Sequence, residues 1–333
     1  MRRVMVALAV VAAAGCSSDA HLADPVAVSV AETPTTDAPP PPACTAAQAD
    51  ADPTRSYEPV DTLPPPGSMP AGSTMARIAA RGRMIVGVSG DTLLFGARNP
   101  ISGAIEGFDI DMLKAVATAI FGPSGPDKIE YRVINYAQRL PMLEAGPDRG
   151  GVDIVAHTMT INCNRWLRIG FSSTYFDAGQ RILVRTGSGF AEIEDLVAAR
   201  ARVCAPEGST NIDEIRKPAY AGLEVIAKPD ITDCLVAMQQ GQADATTGDD
   251  TVLAGFAAQD PNTEVVGRRF TSEPYGLGVG KGDVGFVRFV NGVLATMRAD
   301  GSWKRIYQRW LVDTGALAPP IPEPPVAVYG RPL

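Results

Sequence analysis

Between residues 152 and 172 the chain sets out the parts of an anion site in order. Residues 152–156, Val-Asp-Ile-Val-Ala, form a short apolar run rich in β-branched side chains, the mark of a buried strand. The strand stops in His157-Thr158-Met159-Thr160, where hydroxyls and free backbone amides follow its end. Arg165 comes five residues after Thr160, with Asn162 and Asn164 between, a sequence suited to a helix N-terminus. A strand end, a helix N-terminus and a guanidinium fork together make a site for a carboxylate. Joined to an ammonium holder elsewhere, such a site describes a receptor for an amino acid.

The surrounding elements must place these groups. Residues 75–82 read as a short helix closed by Gly82, and 83–88 as a buried strand followed by a loop with Ser89, Asp91 and Phe95. After a turn at 103–107, Phe108, Met112, Val116 and Ile120 fall at helical spacing. Asp109 and Asp111 lie in the first turn of that helix, where capping is the expected role. A second strand is expected at 129–134, then a helix from Asn135-Tyr136 to near Gly146, then the strand at 152–156. Alternation at this spacing predicts a parallel α/β sheet, whose ligands bind beyond the carboxyl ends of the strands. Ser89, Tyr136, His157, Thr158, Thr160 and Arg165 all follow strand ends and are placed to converge.

A strand at 180–184 leads out of this unit, and a second α/β cycle follows. Its strands are expected at 202–205, 225–226 and 243–247, the last running into Gly248-Asp249-Asp250. One strand over 275–279 leads back, followed by helices at 286–297 and 303–311 whose Trp303 and Trp310 face the core. The second unit is thus inserted in the first, with chain crossings near 178–184 and 272–278.

The ends differ in composition. Arg2-Arg3 and an apolar run of eleven residues over 4–14 precede Ala13-Ala14-Gly15-Cys16, which resembles a bacterial lipobox with Cys16 as the lipidated residue. That run is too short to span a bilayer, and no other segment is long and apolar enough. The expected division is a leader at 1–15, a Pro-rich tether at 16–72, lobe 1 at 73–180 and 275–316, lobe 2 at 181–274, and a Pro-rich tail at 317–333. The formal charge of −7 becomes −9 once Arg2 and Arg3 leave with the leader. An acidic chain without a basic patch is a poor nucleic-acid binder. Beyond Cys16 four cysteines remain, Cys44, Cys163, Cys204 and Cys234. An even number outside the cytoplasm predicts two disulfides. Cys204 ends a strand and Cys234 begins a helix in one lobe, which favours Cys204–Cys234 and leaves Cys44–Cys163. Sequence alone allows three pairings. No His or Cys cluster has metal-ligand spacing, and no cofactor is expected.

These segments together resemble the solute-binding proteins of polar amino-acid ABC transporters, the glutamine-binding type of family 3. The carrying residues are Met84-Ile-Val-Gly-Val88, Gly107-Phe-Asp-Ile-Asp111, residues 152–172, Gly208-Ser-Thr210, Ala243-Asp-Ala245 through Asp249-Asp250, and the run from Gly301 to Trp310. They occur in family order over about residues 76–312, and the resemblance extends to actinobacterial lipoproteins of this type. It implies a periplasmic-binding-protein type II-like fold, two α/β lobes joined by two crossover strands, with the ligand in the interlobe cleft. It implies that Arg165 pairs with the α-carboxylate, helped by Thr158 and Thr160, and that Asp249 or its neighbour Asp250 receives the α-ammonium. Tyr136 and Phe95 match aromatic walls, and Ser209 and Thr210 match the second lobe's loop. Ser89 stands where many members carry Asp, His157 where small or basic residues vary, and Pro206 where the glutamine type often carries Lys. His157 and Arg181 near the cleft lean the ligand slightly toward an acidic side chain, while the family type leans toward glutamine. Glutamate, glutamine, aspartate and asparagine all fit the resemblance. The implied partners are an ABC permease or a membrane sensor protein, reached from the outer face of the cytoplasmic membrane. A dehydratase is the enzymatic alternative, with His157 as its one candidate acid or base.

Overall fold

The computed structural model describes residues 44–45 and 52–332. Cys16 and the leader lie outside the described residues. Helix α1 (Thr74–Arg81) is capped by the Ser73 hydroxyl and ends on Gly82 in the left-handed region. Strand β1 (Met84–Val88) is buried along its whole length. The stretch that reads as loop and turn holds a small antiparallel sheet, β2 (Asp91–Thr92), β3 (Gly96–Arg98) and β4 (Ile105–Glu106). Strands this short carry too few residues for alternation to show. Helix α2 (Phe108–Phe121), strand β5 (Ile129–Val133), helix α3 (Arg139–Ala145) and strand β6 (Ile154–Ala156) follow. A 3-10 turn with a capping box between Asn135 and Gln138 introduces α3. Next come α4 (Cys163–Trp166), β7 (Ile169–Phe171), β8 (Phe176–Ala178) and β9 (Gln180–Arg185).

The second unit runs through α5 (Ile193–Ala199), β10 (Arg202–Pro206), α6 (Thr210–Ile215), β11 (Glu224–Lys228), α7 (Ile231–Gln239), β12 (Ala245–Asp249), α8 (Asp250–Gln259) and β13 (Thr263–Val266). Strands β14 (Glu273–Tyr275) and β15 (Gly278–Gly280) follow, then helices α9 (Val284–Ala299) and α10 (Ser302–Tyr307), the last continuing as a π turn over Gln308–Val312. The single returning strand expected over 275–279 is therefore two. Its break falls at Gly276, where an added Cβ would lie 2.7 Å from Ile161. The chain turns there, leaving β14 for the sheet that contains β15.

Each lobe is built on a five-stranded sheet. Lobe 1 has the order β5-β1-β6-β15-β7, and lobe 2 the order β11-β10-β12-β9-β13. In both, three neighbouring strands are parallel and the other two join antiparallel. The two crossings meet as an antiparallel ribbon, β8 against β14, with Phe176 opposite Tyr275. Helices cover both faces of each sheet, which explains the continuous apolar runs of β1 and β6. In lobe 1, Phe108, Phe286, Phe289 and Trp303 pack on one face and Leu143, Trp166 and Phe171 on the other. In lobe 2 the faces are filled by Leu235, Met238, Leu253 and Phe256, and by Ile193, Leu196, Ile212 and Ile215. Each such side chain contributes about 1.5–3 kcal/mol by leaving water.

The described parts of the proline-rich ends lie against lobe 1, with Tyr57, Leu63 and Ile321 packed on its core. Arg55 pairs with Val328 in a parallel bridge. The Ser56 hydroxyl donates to Phe171 O at 2.9 Å, and the Arg331 guanidinium stacks 3.7 Å over the Trp166 ring. Two disulfides are present, Cys44–Cys163 and Cys204–Cys234. Among the described residues no helix is long and apolar enough to cross a membrane.

Cys204–Cys234 joins β10 to α7 across a sequence separation of 30. Closing a loop of that size restricts the unfolded chain by about 3–4 kcal/mol. Replacing both cysteines by serine is expected to lower unfolding free energy by about 2–4 kcal/mol in urea titration. A loss below about 0.5 kcal/mol would show that the crosslink does not stabilise the lobe.

Candidate ligand-binding cleft

The end of β6 carries the first part of the site. Thr158 is in the left-handed region at φ 42, uncommon for a β-branched residue. Its N–H donates to Asp109 Oδ2 at 2.7 Å, and the Tyr175 hydroxyl donates to Asp109 Oδ1 at 2.5 Å. Asp109 is therefore no helix cap, which corrects the sequence expectation. Gly107 occupies the N-cap of α2, and the Asp109 carboxylate instead holds the turn at Thr158. Burial raises its pKa to about 6, against the lowering effect of Tyr175, Thr158 and Arg139.

His157 is buried, with Nε2 3.0 Å from Ile134 O and its ring edge-on to Tyr136 at 4.8 Å. Burial and the nearby Arg139 charge lower its pKa to about 3, so the ring is neutral at physiological pH. Its Nδ1 is buried without a hydrogen-bond partner. A neutral ring offers no positive charge to an acidic ligand.

Two arginines converge beside it. Asn162 caps α4 by accepting from Arg165 N–H, which fixes the base of the Arg165 side chain. Its guanidinium donates to Thr160 O at 2.6 Å and Gly208 O at 3.4 Å. Arg139, at the start of α3, is only 2 % exposed. It donates to Tyr136 O at 3.0 Å, His157 O at 3.1 Å and Gly208 O at 3.0 Å, and lies 4.6 Å over the Tyr136 ring. Burial, and for Arg165 the charge of Arg139, depress both pKa values, that of Arg165 to about 9. Both remain cationic at neutral pH. Among the described residues neither has a carboxylate within ion-pair distance.

Lobe 2 presents the loop after β10. Gly208 has φ 78, and a Cβ there would lie 2.7 Å from Ala137 Cα of lobe 1. Only glycine allows that approach. The Ser209 hydroxyl caps α6, accepting from Ile212 N–H and donating to Pro206 O. The Thr210 hydroxyl stands 3.3 Å from that of Thr160 across the cleft. Asp249, at the end of β12, accepts from Asn211 Nδ2 at 2.8 Å and from the Tyr275 hydroxyl at 2.5 Å. Burial, then the charge of Glu273, raises its pKa to about 7.

Four sequence expectations are placed elsewhere. Asp250 is bound to Arg269 at 2.5 Å and turned to the crossover ribbon. The Ser89 hydroxyl closes its own loop, on Asp91 and Thr92. Phe95 is fully buried in the lobe 1 core against Phe108, Phe176 and Tyr275. Arg181 donates to Gly267 O at 2.6 Å and Val265 O at 3.4 Å, on the edge beside β13 and not toward the cleft. Alternation along β9 turns it away. The cleft also holds residues the sequence reading missed: Arg139, Asn211, Glu273 and Tyr275. For Arg139 one signal was available. A cation in the first turn of a helix opposes the macrodipole, so a group outside the helix must favour it.

Two lobes, each with a sheet whose strand ends face the cleft, joined by a two-stranded ribbon, define a two-lobed binding protein of the periplasmic type II fold. The chain belongs to the bacterial extracellular solute-binding proteins, family 3, whose profile matches residues 84–313. It is 37% identical over 243 residues to the ABC transporter glutamine-binding protein GlnH of Bacillus subtilis, covering 73% of this chain and 86% of that one. It is 31% identical over 254 residues to the glutamate-binding protein GluB of Corynebacterium glutamicum, covering 74% and 84%. Among solved structures, the solute receptor for L-cysteine of Neisseria gonorrhoeae superposes with a TM-score of 0.68 at 25% identity, covering 74% of this chain and 98% of that one.

The raised pKa of Asp249 has a defined sign. Between about pH 4 and 7 the unfolded chain has lost this proton and the folded chain keeps it, so the residue subtracts stability as pH rises through that window. Asp249→Asn removes the effect. The unfolding free energy of the wild type minus that of the variant, both ligand-free, is expected to fall from pH 4 to pH 7 and level off above. A pH-independent difference would show that Asp249 ionises as in the unfolded chain.

Proposed function

We propose that this protein is a lipid-anchored receptor on the outer face of the cytoplasmic membrane. It captures a free acidic amino acid, glutamate or aspartate, and delivers it to an ABC transporter. The observation that carries the ligand class is the pair of buried guanidiniums without a carboxylate partner. Arg165, with the hydroxyls of Thr160 and Thr210 and the turn at Thr158, is suited to the α-carboxylate. Asp249 is suited to the α-ammonium, and Asp250 is not, because Arg269 already holds it. Arg139 then remains for a second carboxylate. Its carbonyl partners engage three of its five N–H groups at 3.1 Å or less but leave its charge unneutralised. A glutamine or asparagine side chain would bring that cation no anion in contact, the charges of Asp249 and Glu273 reaching it only from beyond ion-pair distance. The acidic preference thus rests on Arg139, not on His157 or Arg181. Relatives named as glutamine- and glutamate-binding proteins support an amino-acid ligand of this size, and one is named as part of an ABC transporter. The lipobox-like Ala13-Ala14-Gly15-Cys16 supports the anchor.

Isothermal titration of the protein against the twenty amino acids tests this reading. Glutamate or aspartate is expected to bind at micromolar Kd or tighter. Hydrogen bonds to charged groups are worth about 1.5–3 kcal/mol each, so Arg165→Ala and Asp249→Ala should each weaken binding about 100-fold or more. Arg139→Met should weaken glutamate more than glutamine. Tight glutamine with weak glutamate would overturn the acidic preference, and no binding to any amino acid would overturn the receptor. For the anchor, Cys16→Ala is expected to abolish labelling by a radioactive fatty acid and release the protein from membranes. Unchanged labelling would refute lipidation at Cys16.

A further inference from the structure

Glu273 is the first residue of β14, on the returning crossover, and is 3% exposed. Its Oε2 accepts from the Thr160 hydroxyl of lobe 1 at 2.6 Å and from the Thr210 hydroxyl of lobe 2 at 2.7 Å. Its Oε1 accepts from the Thr271 hydroxyl at 2.6 Å. One carboxylate oxygen therefore sits where the two lobes meet. Its negative charge also bears on both Arg139 and Arg165.

These are the groups assigned above to the α-carboxylate of a ligand. A hydroxyl has one hydrogen to donate. While Thr160 and Thr210 donate to Glu273, neither can donate to a second carboxylate. Ligand and Glu273 are competitors for the same donors.

We infer that Glu273 is an internal carboxylate standing in for the ligand: it latches the two lobes through Thr160 and Thr210 and yields those hydroxyls when a ligand carboxylate arrives. The inference rests on the amino-acid reading of the cleft. Space for the exchange exists. Thr160, Thr210 and Glu273 also line a pocket of about 520 Å³ with Asn162, Asp213 and Lys217, into which the Glu273 side chain can withdraw. The exchange replaces two charge-assisted hydrogen bonds by two others, so those two contacts add little net affinity. Because the latch is given up on binding, it stabilises only the ligand-free protein, and ligand must supply the free energy that displaces it.

The test uses the full chain with Glu273→Gln, which keeps the shape and removes the charge, and Thr271→Val, which loosens Glu273 without altering Thr160 or Thr210. Small-angle scattering of the ligand-free proteins reads compactness, and titration with glutamate reads affinity. Both variants are expected to be more expanded than the wild type when ligand-free, and equally compact with saturating glutamate. Glu273→Gln is expected to bind glutamate about three- to tenfold more tightly, the size of a charge-assisted contact partly released. Unchanged compactness of both ligand-free variants, or weaker glutamate binding by Glu273→Gln, would overturn the latch and make Glu273 a fixed wall of the site. If neither wild type nor variants bind any amino acid, the receptor reading falls, while scattering still decides whether Glu273 holds the lobes together.

Discussion

The cleft is organised around the confinement of two like charges. Arg139 and Arg165 lie close enough for one to depress the other's pKa, and both are shielded from water. Burying even one cation is costly unless it is hydrogen-bonded and countered. Lobe 1 meets part of that cost with backbone carbonyls at Tyr136, His157 and Thr160. Gly208 O of lobe 2 is shared by both guanidiniums. The negative charges of Asp249 and Glu273 reach both arginines without touching them. His157 stays neutral because burial disfavours its charged form and a third cation beside Arg139 would add to the repulsion.

That arrangement constrains the backbone on both sides. On lobe 1, Thr158 takes a left-handed conformation so that β6 can end in inward-facing groups, and Asp109 with Tyr175 holds the turn from behind. On lobe 2, the loop at Gly208 must approach Ala137 closer than any side chain would permit. The carbonyl that meets both arginines is therefore available only because that residue lacks a Cβ. The lobes touch through backbone here, through hydroxyls at Thr160 and Thr210, and through Tyr136, which packs in the apolar cluster of lobe 2.

Much of this was legible in the sequence wherever the signal was local. The strand at 152–156, the hydroxyls after it and the spacing to Arg165 depend on residues that are neighbours in the chain, and the structure keeps them together. The two α/β units were legible for the same reason, since strand and helix periods repeat within short windows. What the sequence hid depends on distant partners. Arg139 gains its role from the carbonyls of His157 and Gly208, 18 and 69 residues away. Asp109 looks like a helix cap until Thr158, 49 residues on, comes to meet it. Arg181 misled because a cation near a strand end says nothing about which face alternation gives it. Proline-rich composition predicts extended segments, but composition cannot say that such a chain lies on a neighbour.

Both described ends of the polypeptide, near Arg55 and Val328, run side by side on lobe 1, and Cys44 is bonded to Cys163 of the same lobe. The chain enters and leaves lobe 2 through the ribbon of β8 and β14. Any attachment made through the N-terminal stretch consequently grips one jaw and leaves the other unburdened. In the receptor proposed above, movement of the second jaw would leave that attachment undisturbed, and a membrane partner would meet the held jaw at a constant place.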